Sequence, residues 1–166
     1  VLNVYASQDG GAHIHASGVS FPASQAASSG ANVLDDYEEG TWSPVFTFET
    51  SENLANEVGY GIYTKVGRLV TIDWTITFDK TAGINNITIT GLPFTCASRT
   101  NTAIPVVISD YSFSDGHPIA QVQSAESRMF LGHCAENGDQ DYTANPGANI
   151  AATTGIKATG QLSYWI

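Results

Sequence analysis

The stretch Leu69-Val-Thr-Ile-Asp-Trp-Thr-Ile-Thr-Phe78 is the strongest structural signal in the chain. Apolar side chains stand at every second position from Val70 to Phe78, and mostly polar ones stand between them. Because successive side chains of a β-strand point to opposite faces, this alternation predicts one long strand with a buried face and a polar face. Gly67-Arg68, directly before it, predicts a hairpin turn from a preceding strand over 59–66.

The rest of the chain reads as further short strands separated by turn residues. Breakers such as Gly91-Leu-Pro93 and Asn145-Pro-Gly147 interrupt the pattern, and no amphipathic helix lies between the strands. One or two helical turns are expected only over 32–40, where Asn32 is placed to cap a helix and Gly40 to end it. The spacing predicts an all-β fold, an antiparallel β-sandwich that is jelly-roll-like. The further predicted strands are 86–90, 103–109, 119–124, 128–133 and 156–166.

Composition narrows the class of protein. The 166 residues carry 16 acidic side chains against 6 Lys and Arg, a net charge of −10, which argues against nucleic acid as a partner because phosphate contacts need a basic surface. No stretch approaches the roughly 20 apolar residues of a membrane span, so no membrane insertion is expected. Cys96 and Cys134 lack metal or redox spacing and are expected to be buried free thiols, with a disulfide as the alternative.

Local amino-acid composition divides the chain into three parts. Residues 1–30 are rich in Ala, Ser and Gly and have too few large apolar residues to bury a core of their own. They therefore predict a short extended stalk segment that needs partner chains. Residues 31–44 form an acidic elbow, and 45–166 form the β-sandwich head. Because the first residue is not Met and no signal peptide follows it, we expect the sequence to be a piece of a longer protein.

Three motifs carry a family resemblance. Leu34-Asp-Asp-Tyr-Glu-Glu-Gly-Thr-Trp42, Gly59-Tyr-Gly-Ile-Tyr-Thr-Lys-Val-Gly-Arg68 and Gly91-Leu-Pro-Phe94 closely resemble a junction in bacteriophage tail fibre and tailspike proteins, over residues 20–95. The resemblance implies a homotrimer whose stalk ends in a head at the tip of the virion's tail fibre. Such heads bind a bacterial surface glycan or protein receptor, or lock the trimer, and act outside the cell.

Candidate ligand-binding residues cluster in the second half of the chain, beyond the strongest part of the resemblance. Aromatic rings near strand ends can stack on the C–H faces of sugars, and neighbouring carboxylates can pair with sugar hydroxyls. The alternative is that each ring belongs to the core or to a trimer interface. Trp165 is expected to anchor the last strand. The candidates are Asp110, Tyr111, Phe113, Asp115, His117, Asp139 and Tyr142.

Two clusters could hold metal ions. In an extended segment His13 and His15 share one face, and three copies would bring six imidazoles to a trimer axis as a transition-metal site; the alternative is a pair of polar stalk residues. The acids of the elbow could hold calcium, or could be structural and meet Lys65, Arg68 or a neighbouring chain. The loop 137–141 lacks the Gly and Glu of an EF-hand, which leaves a calcium loop or a polar turn. The elbow acids are Asp35, Asp36, Glu38 and Glu39.

No catalytic motif is recognisable. A G-x-S-x-G sequence is absent, and adjacent residues His133 and Cys134 on one strand would point to opposite faces and could not form a nucleophilic pair. The sequence therefore favours an adhesive head without enzymatic activity. Two alternatives stay open: the terminal trimerisation or carbohydrate-binding domain of a tailspike depolymerase whose catalytic part lies upstream, and a head that itself cleaves glycan with paired carboxylates about 5 to 9 Å apart.

Overall fold

A computed structural model describes residues 13–15, 17–21, 36–48, 54–80, 87–98, 101–109, 116–134, 140–141 and 154–166. These residues form strands and their connections, with no helix among them, and the strands pair only antiparallel. The strands are β1 (His13–His15), β2 (Gly18–Ser20), β3 (Tyr37–Trp42), β4 (Val45–Phe48), β5 (Leu54–Val66), β6 (Leu69–Lys80), β7 (Ile87–Thr90), β8 (Thr102–Pro105), β9 (Val107–Ile108), β10 (His117–Val122), β11 (Met129–Cys134), β12 (Gln140–Asp141) and β13 (Ile156–Trp165).

Two large sheets and one small hairpin make up the described fold. Strands β3, β5, β6, β13 and β9, in that order, form a five-stranded sheet, and β4, β7, β11, β10 and β8 form the second sheet with β12 paired to β11. One core cluster contains side chains of both sheets, among them Ile72 and Phe78 from the first and Met129 and Leu131 from the second. Phe46 and Phe78 meet edge to face across it, with ring centroids 4.9 Å apart. The predicted β-sandwich is confirmed.

The long strand is where the alternation predicts it. On β6, the side chains from Val70 to Phe78 at every second position are buried, and the residues between them are half-buried on the opposite face. Gly67 and Arg68 form the predicted turn, in which Gly67 has a φ of 56°, a conformation that a glycine adopts without strain. β6 pairs with β5 on one side and with β13 on the other.

A row of alternating large and small residues crosses four strands of the five-stranded sheet. Trp42 lies beside Gly61, Gly61 beside Trp74, and Trp74 beside Gly160 in the strand register. A Cβ atom added to Gly61 would lie 2.2 Å from the indole nitrogen of Trp42, and one added to Gly160 would lie 2.9 Å from Cζ2 of Trp74. Each glycine thus leaves the space that an indole fills.

Two local expectations are wrong. The helical turns predicted over 32–40 are absent at their described end, because Tyr37–Trp42 is the edge strand β3 and pairs with β5. The single strand predicted over 103–109 is two strands, since β8 pairs with β10 in one sheet and β9 pairs with β13 in the other. Val106 lies at the switch between them, and its backbone N–H donates to the carbonyl of Pro118 at 3.0 Å.

Neither Cys96 nor Cys134 is in a disulfide, as expected, but only one of the two is buried. Cys96 is buried, whereas Cys134, at the end of β11, is half-buried. The side chain that anchors the last strand is Tyr164 rather than Trp165: Tyr164 is fully buried and its hydroxyl donates to the carbonyl of Phe94 at 3.0 Å, while Trp165 is exposed. Burial raises the pKa of the Tyr164 phenol above its ordinary value.

The tryptophan–glycine row makes a direct prediction. We expect Gly61→Ala to lower the free energy of unfolding by about 1–3 kcal/mol, because the added methyl group overlaps the Trp42 indole and the backbone of Gly61 is not at positive φ. Urea unfolding followed by circular dichroism measures the change.

The control is Thr41→Ala, which alters the exposed neighbour of Trp42 on the other face of β3 and should change stability by less than about 0.5 kcal/mol. Equal stability of the Gly61→Ala variant and the unmodified chain would contradict the close packing of this row.

Candidate functional site

A groove of about 610 Å³ lies where the chain switches from one sheet to the other. β8 is the last strand of one sheet and β9 the last strand of the other, so the two strands bring both sheet edges together. Pro105 ends β8, which is an edge strand, a position where the missing N–H of proline is tolerated. The groove is lined by Ala103, Ile104, Pro105, Val106, Val107, Ile108, His117, Pro118, Ile119 and Cys134.

The groove combines an apolar floor with two polar side chains at one end. Pro105 pairs with Ile119 across the β8–β10 ladder, and Ile119 is buried although it does not belong to the core cluster between the sheets. His117 pairs with Cys134 at the adjoining end of the β10–β11 ladder, and His117 is exposed there. An apolar surface with a few polar groups at its rim is the usual chemistry of a pocket that binds a small molecule or a sugar.

Only one of the predicted ligand-binding residues lies among the described ones, and it lines this groove. His117 stands at the first position of β10. Asp110, Tyr111, Phe113 and Asp115 lie outside the described residues, as do Asp139 and Tyr142. Their chain positions are nevertheless informative: 110–115 connects β9 to β10, and 135–139 connects β11 to β12.

Both connections therefore begin or end at residues of the groove. The first leaves shortly after Ile108 and returns just before His117, and the second leaves directly after Cys134. Sequence reasoning placed these residues near strand ends but not near one another, because the pairing of His117 with Cys134 is a long-range contact.

The acids of the elbow are engaged within their own chain wherever they are described. Asp36 is ion-paired with Lys65, and the two residues are only 5% and 4% exposed. The hydroxyl of Tyr63 donates to Glu38, and that of Tyr37 donates to Glu39; these hydrogen bonds to carboxylates raise the pKa of both tyrosines. The list of elbow acids is completed by Asp35, which lies outside the described residues.

These contacts favour the structural interpretation of the elbow over calcium binding. Lys65 also lies 5.4 Å from the centre of the Phe94 ring, and the N–H of Gly67 donates to the carbonyl of Asp36 at 2.9 Å. The ion pair thus links the residue before β3 to the end of β5, and the hydrogen bond from Gly67 links it to the turn between β5 and β6. Within the described residues no three His, Cys, Asp or Glu side chains converge as a metal site.

The histidine pair lies on a short strand. His13 and His15 both belong to β1, which pairs with β2 in register from His13 and Ser20 to His15 and Gly18. The metal-binding hypothesis requires an extended segment, in which the residues at i and i+2 share one side, and the backbone of β1 is extended. The positions of the two imidazoles lie outside what is described, and the trimer-axis metal site stays a prediction.

Sequence reasoning missed an apolar surface on the five-stranded sheet. We call outer sheet face the set of residues on β3, β5, β6 and β13 that point away from the core. Its signal was present in the motif Val58-Gly-Tyr-Gly-Ile62, where three large apolar residues alternate with glycines. The glycines occupy the core side, close to Pro44 and Trp42, so the large residues are exposed. The outer sheet face consists of Tyr37, Glu39, Thr41, Val58, Tyr60, Ile62, Thr64, Val66, Leu69, Thr71, Asp73, Thr75, Thr77, Asp79, Lys157, Thr159, Gln161, Ser163 and Trp165.

Comparison of the chain with protein-family models, with curated proteins and with solved structures finds no match. Over its described part, the fold contains no helix with the length and apolar character needed to cross a membrane.

The buried ion pair yields a prediction on stability. We expect Asp36→Asn to cost about 3–5 kcal/mol, because it leaves the Lys65 ammonium buried without its counter-charge. Adding Lys65→Met to that variant should restore part of the loss, since the uncompensated charge is then removed. Chemical unfolding of the single and double variants measures both effects.

A second ion pair provides the control. Arg128 and Glu126 are bonded at 3.1 Å but are 46% and 36% exposed at their side chains, so Glu126→Gln should cost less than about 1 kcal/mol. A loss for Asp36→Asn no larger than that for Glu126→Gln would show that the elbow ion pair contributes little to the fold.

Proposed function

We propose that this chain is the C-terminal head of a bacteriophage tail fibre, located at the tip of the virion, that acts as a homotrimer and binds a glycan of the bacterial surface without catalysis. The observation that carries the proposal is the relation between the groove and the candidate ligand-binding segments. Segments 110–115 and 135–139 contain five of the seven predicted sugar-binding residues, and each begins or ends beside groove-lining residues.

The chemistry of the groove supports a sugar ligand when these segments are added to it. Its apolar floor, which includes Ile119 and Pro105, can receive the C–H face of a sugar ring. Tyr111 and Phe113 have rings of the kind that stack on such faces, and Asp110 and Asp115 have carboxylates that can accept hydrogen bonds from hydroxyl groups. Apolar contact combined with a few oriented polar groups gives a site selectivity among sugars.

Binding without cleavage is proposed because the sequence contains no recognisable catalytic motif. Hydrolysis of a glycosidic bond uses two carboxyl groups on opposite sides of the bond. The described lining contributes the imidazole of His117 and the thiol of Cys134, and the carboxylates of Asp110 and Asp115 are proposed as acceptors for sugar hydroxyls. The resemblance of residues 20–95 to tail fibre junctions supports the same proposal, because those junctions connect a stalk to a receptor-binding head.

An array of purified bacterial surface polysaccharides tests the proposal. We expect the chain to bind at least one of them, and we expect the Tyr111→Ala, Phe113→Ala double variant and the His117→Ala variant each to weaken that binding by roughly tenfold or more, as loss of a central contact residue does. The control is Arg128→Ala, which alters an exposed residue at the opposite end of the β10–β11 hairpin and should leave the affinity unchanged.

Two outcomes would overturn the proposal. Unchanged binding by both the double variant and His117→Ala would move the receptor site away from the groove. Shortening of the bound polysaccharide, detected by size-exclusion chromatography of the products, would show that the head cleaves its ligand.

A further inference from the structure

We infer that the outer sheet face is covered by a second copy of this chain. It holds six of the nine large apolar side chains that are exposed in the described part of the molecule. Val58 is 65% exposed, Tyr60 62%, Ile62 45% and Trp165 51%, and Tyr37 and Val66 belong to the same face. An exposed apolar surface of this extent marks a site of protein association. Outside the face and its margin at Val107, the only comparable side chains described are Val19 and Val45.

Many polar side chains of this face are already hydrogen-bonded within the chain. The hydroxyls of Thr71 and Ser163 are 2.8 Å apart, and Gln161 donates to Asp73 at 3.0 Å. Thr159 lies 3.2 Å from the hydroxyl of Thr75 and donates to the carbonyl of Trp74 at 2.8 Å. Burying such groups under a neighbour leaves few hydrogen bonds unmade, so the cost of removing water is small.

The same internal hydrogen bonds argue against a sugar as the occupant. A sugar would have to replace them to bind through its hydroxyl groups, whereas a protein surface can cover them as they stand. The outer sheet face therefore differs in kind from the groove at β8 and β9, and the two surfaces are suited to different partners.

The size and shape of the face fit a protein interface. From β3 to β13 it spans four adjacent strands, and the paired lengths of β5, β6 and β13 extend about 30 Å, which gives an area of roughly 500–700 Å². A stable interface buries about 800 Å² on each partner, so the face supplies most of what is required. A depression of about 180 Å³ between Tyr60, Ile62, Asp73 and Thr159 can receive a side chain of the other copy.

The charges of the outer sheet face are compatible with another copy of this chain as the partner. The chain as a whole carries a net charge of −10, so two copies repel over most of their surfaces. The outer sheet face has four described charged residues, the acids Glu39, Asp73 and Asp79 and the base Lys157. In a three-fold assembly Lys157 of one copy can lie against the acids of the next copy, which gives local charge complementarity.

This inference adds to the proposed function the surface through which the copies associate. It rests on the proposed function only for the number of copies, three. The test combines two measurements on the 166-residue chain at micromolar concentration. Light scattering gives the mass of the assembly in multiples of 17.6 kDa. Quenching of tryptophan fluorescence by acrylamide reports on Trp165, because Trp42 and Trp74, the other two tryptophans, are buried in the core.

The test variant is Ile62→Glu, which places a charge at the centre of the face. The control is Val45→Glu, since Val45 is exposed to the same degree, 44% against 45%, but lies on β4 of the other sheet. We expect the unmodified chain and Val45→Glu to be assembled with Trp165 shielded. We expect Ile62→Glu either to be monomeric, with association weakened roughly tenfold or more, or to remain joined by residues 1–30 while quenching of Trp165 rises severalfold.

The inference is overturned if the unmodified chain is a monomer with Trp165 open to acrylamide, or if Ile62→Glu leaves both mass and quenching unchanged. Circular dichroism and thermal unfolding verify that each variant is folded, and Tyr60→Lys repeats the test should Ile62→Glu fail to fold. Polysaccharide binding by the same variants separates the two proposals: loss of shielding with binding retained concerns the sheet face, and loss of binding with shielding retained concerns the groove.

Discussion

Two indole rings and the two glycines beside them hold the five-stranded sheet in register. Trp42, Gly61, Trp74 and Gly160 form one continuous row across β3, β5, β6 and β13. Large and small residues alternate along this row, so a shift of any strand by one residue would bring an indole against a side chain instead of a glycine. Such a shift would also move the whole apolar set of that strand to the other face of the sheet. The row therefore determines which side chains are buried and which are left on the outer sheet face.

The functional surfaces follow from this division of the sheet. With the inner face of β6 committed to the core, its threonines and Asp73 must lie outside beside Tyr60 and Ile62, where they form internal hydrogen bonds with β13. The second surface arises at the sheet edges, where the chain leaves one sheet at Pro105 and enters the other at Val107. That crossing produces the groove, whose lining includes His117 and Cys134 at the ends of β10 and β11. The two proposals therefore concern separate parts of the sandwich.

The parts of the fold that sequence predicts well depend on short-range patterns. The alternation on β6 and the Gly67-Arg68 turn are local signals, and both correctly predict the long strand and the turn before it. The helix expected over 32–40 was wrong because Gly40 resembles a helix stop, whereas its actual role is to leave space for the Tyr63 ring, which a Cβ atom would meet at 2.6 Å. No local signal could show that 103–109 changes sheets, since that depends on pairing with β10 and β13.

The candidate sites also depend on contacts between residues that are far apart in the chain, which local sequence patterns do not show. Asp36 and Lys65 could be proposed as partners from their charges, but their burial depends on how β3 lies against β5. His117 could be proposed as a ligand-binding residue, but its pairing with Cys134 beside an apolar groove is a tertiary feature. The outer sheet face escaped detection because Val58, Tyr60 and Ile62 have the composition of core residues. Only the sheet register shows that the glycines between them occupy the core side.

The central claim is that one sandwich uses two separate surfaces for two partners, and hydroxyl-radical footprinting read by mass spectrometry tests it most directly. The chain is labelled at a concentration where it is assembled, at high dilution, and when assembled with a bound surface polysaccharide. We expect assembly to protect Tyr60, Ile62 and Trp165, and the polysaccharide to protect His117, Tyr111 and Phe113 in addition without altering the labelling of the first three. Protection of Tyr60 and Trp165 by the polysaccharide, or their equal labelling in the assembled and diluted states, would contradict it.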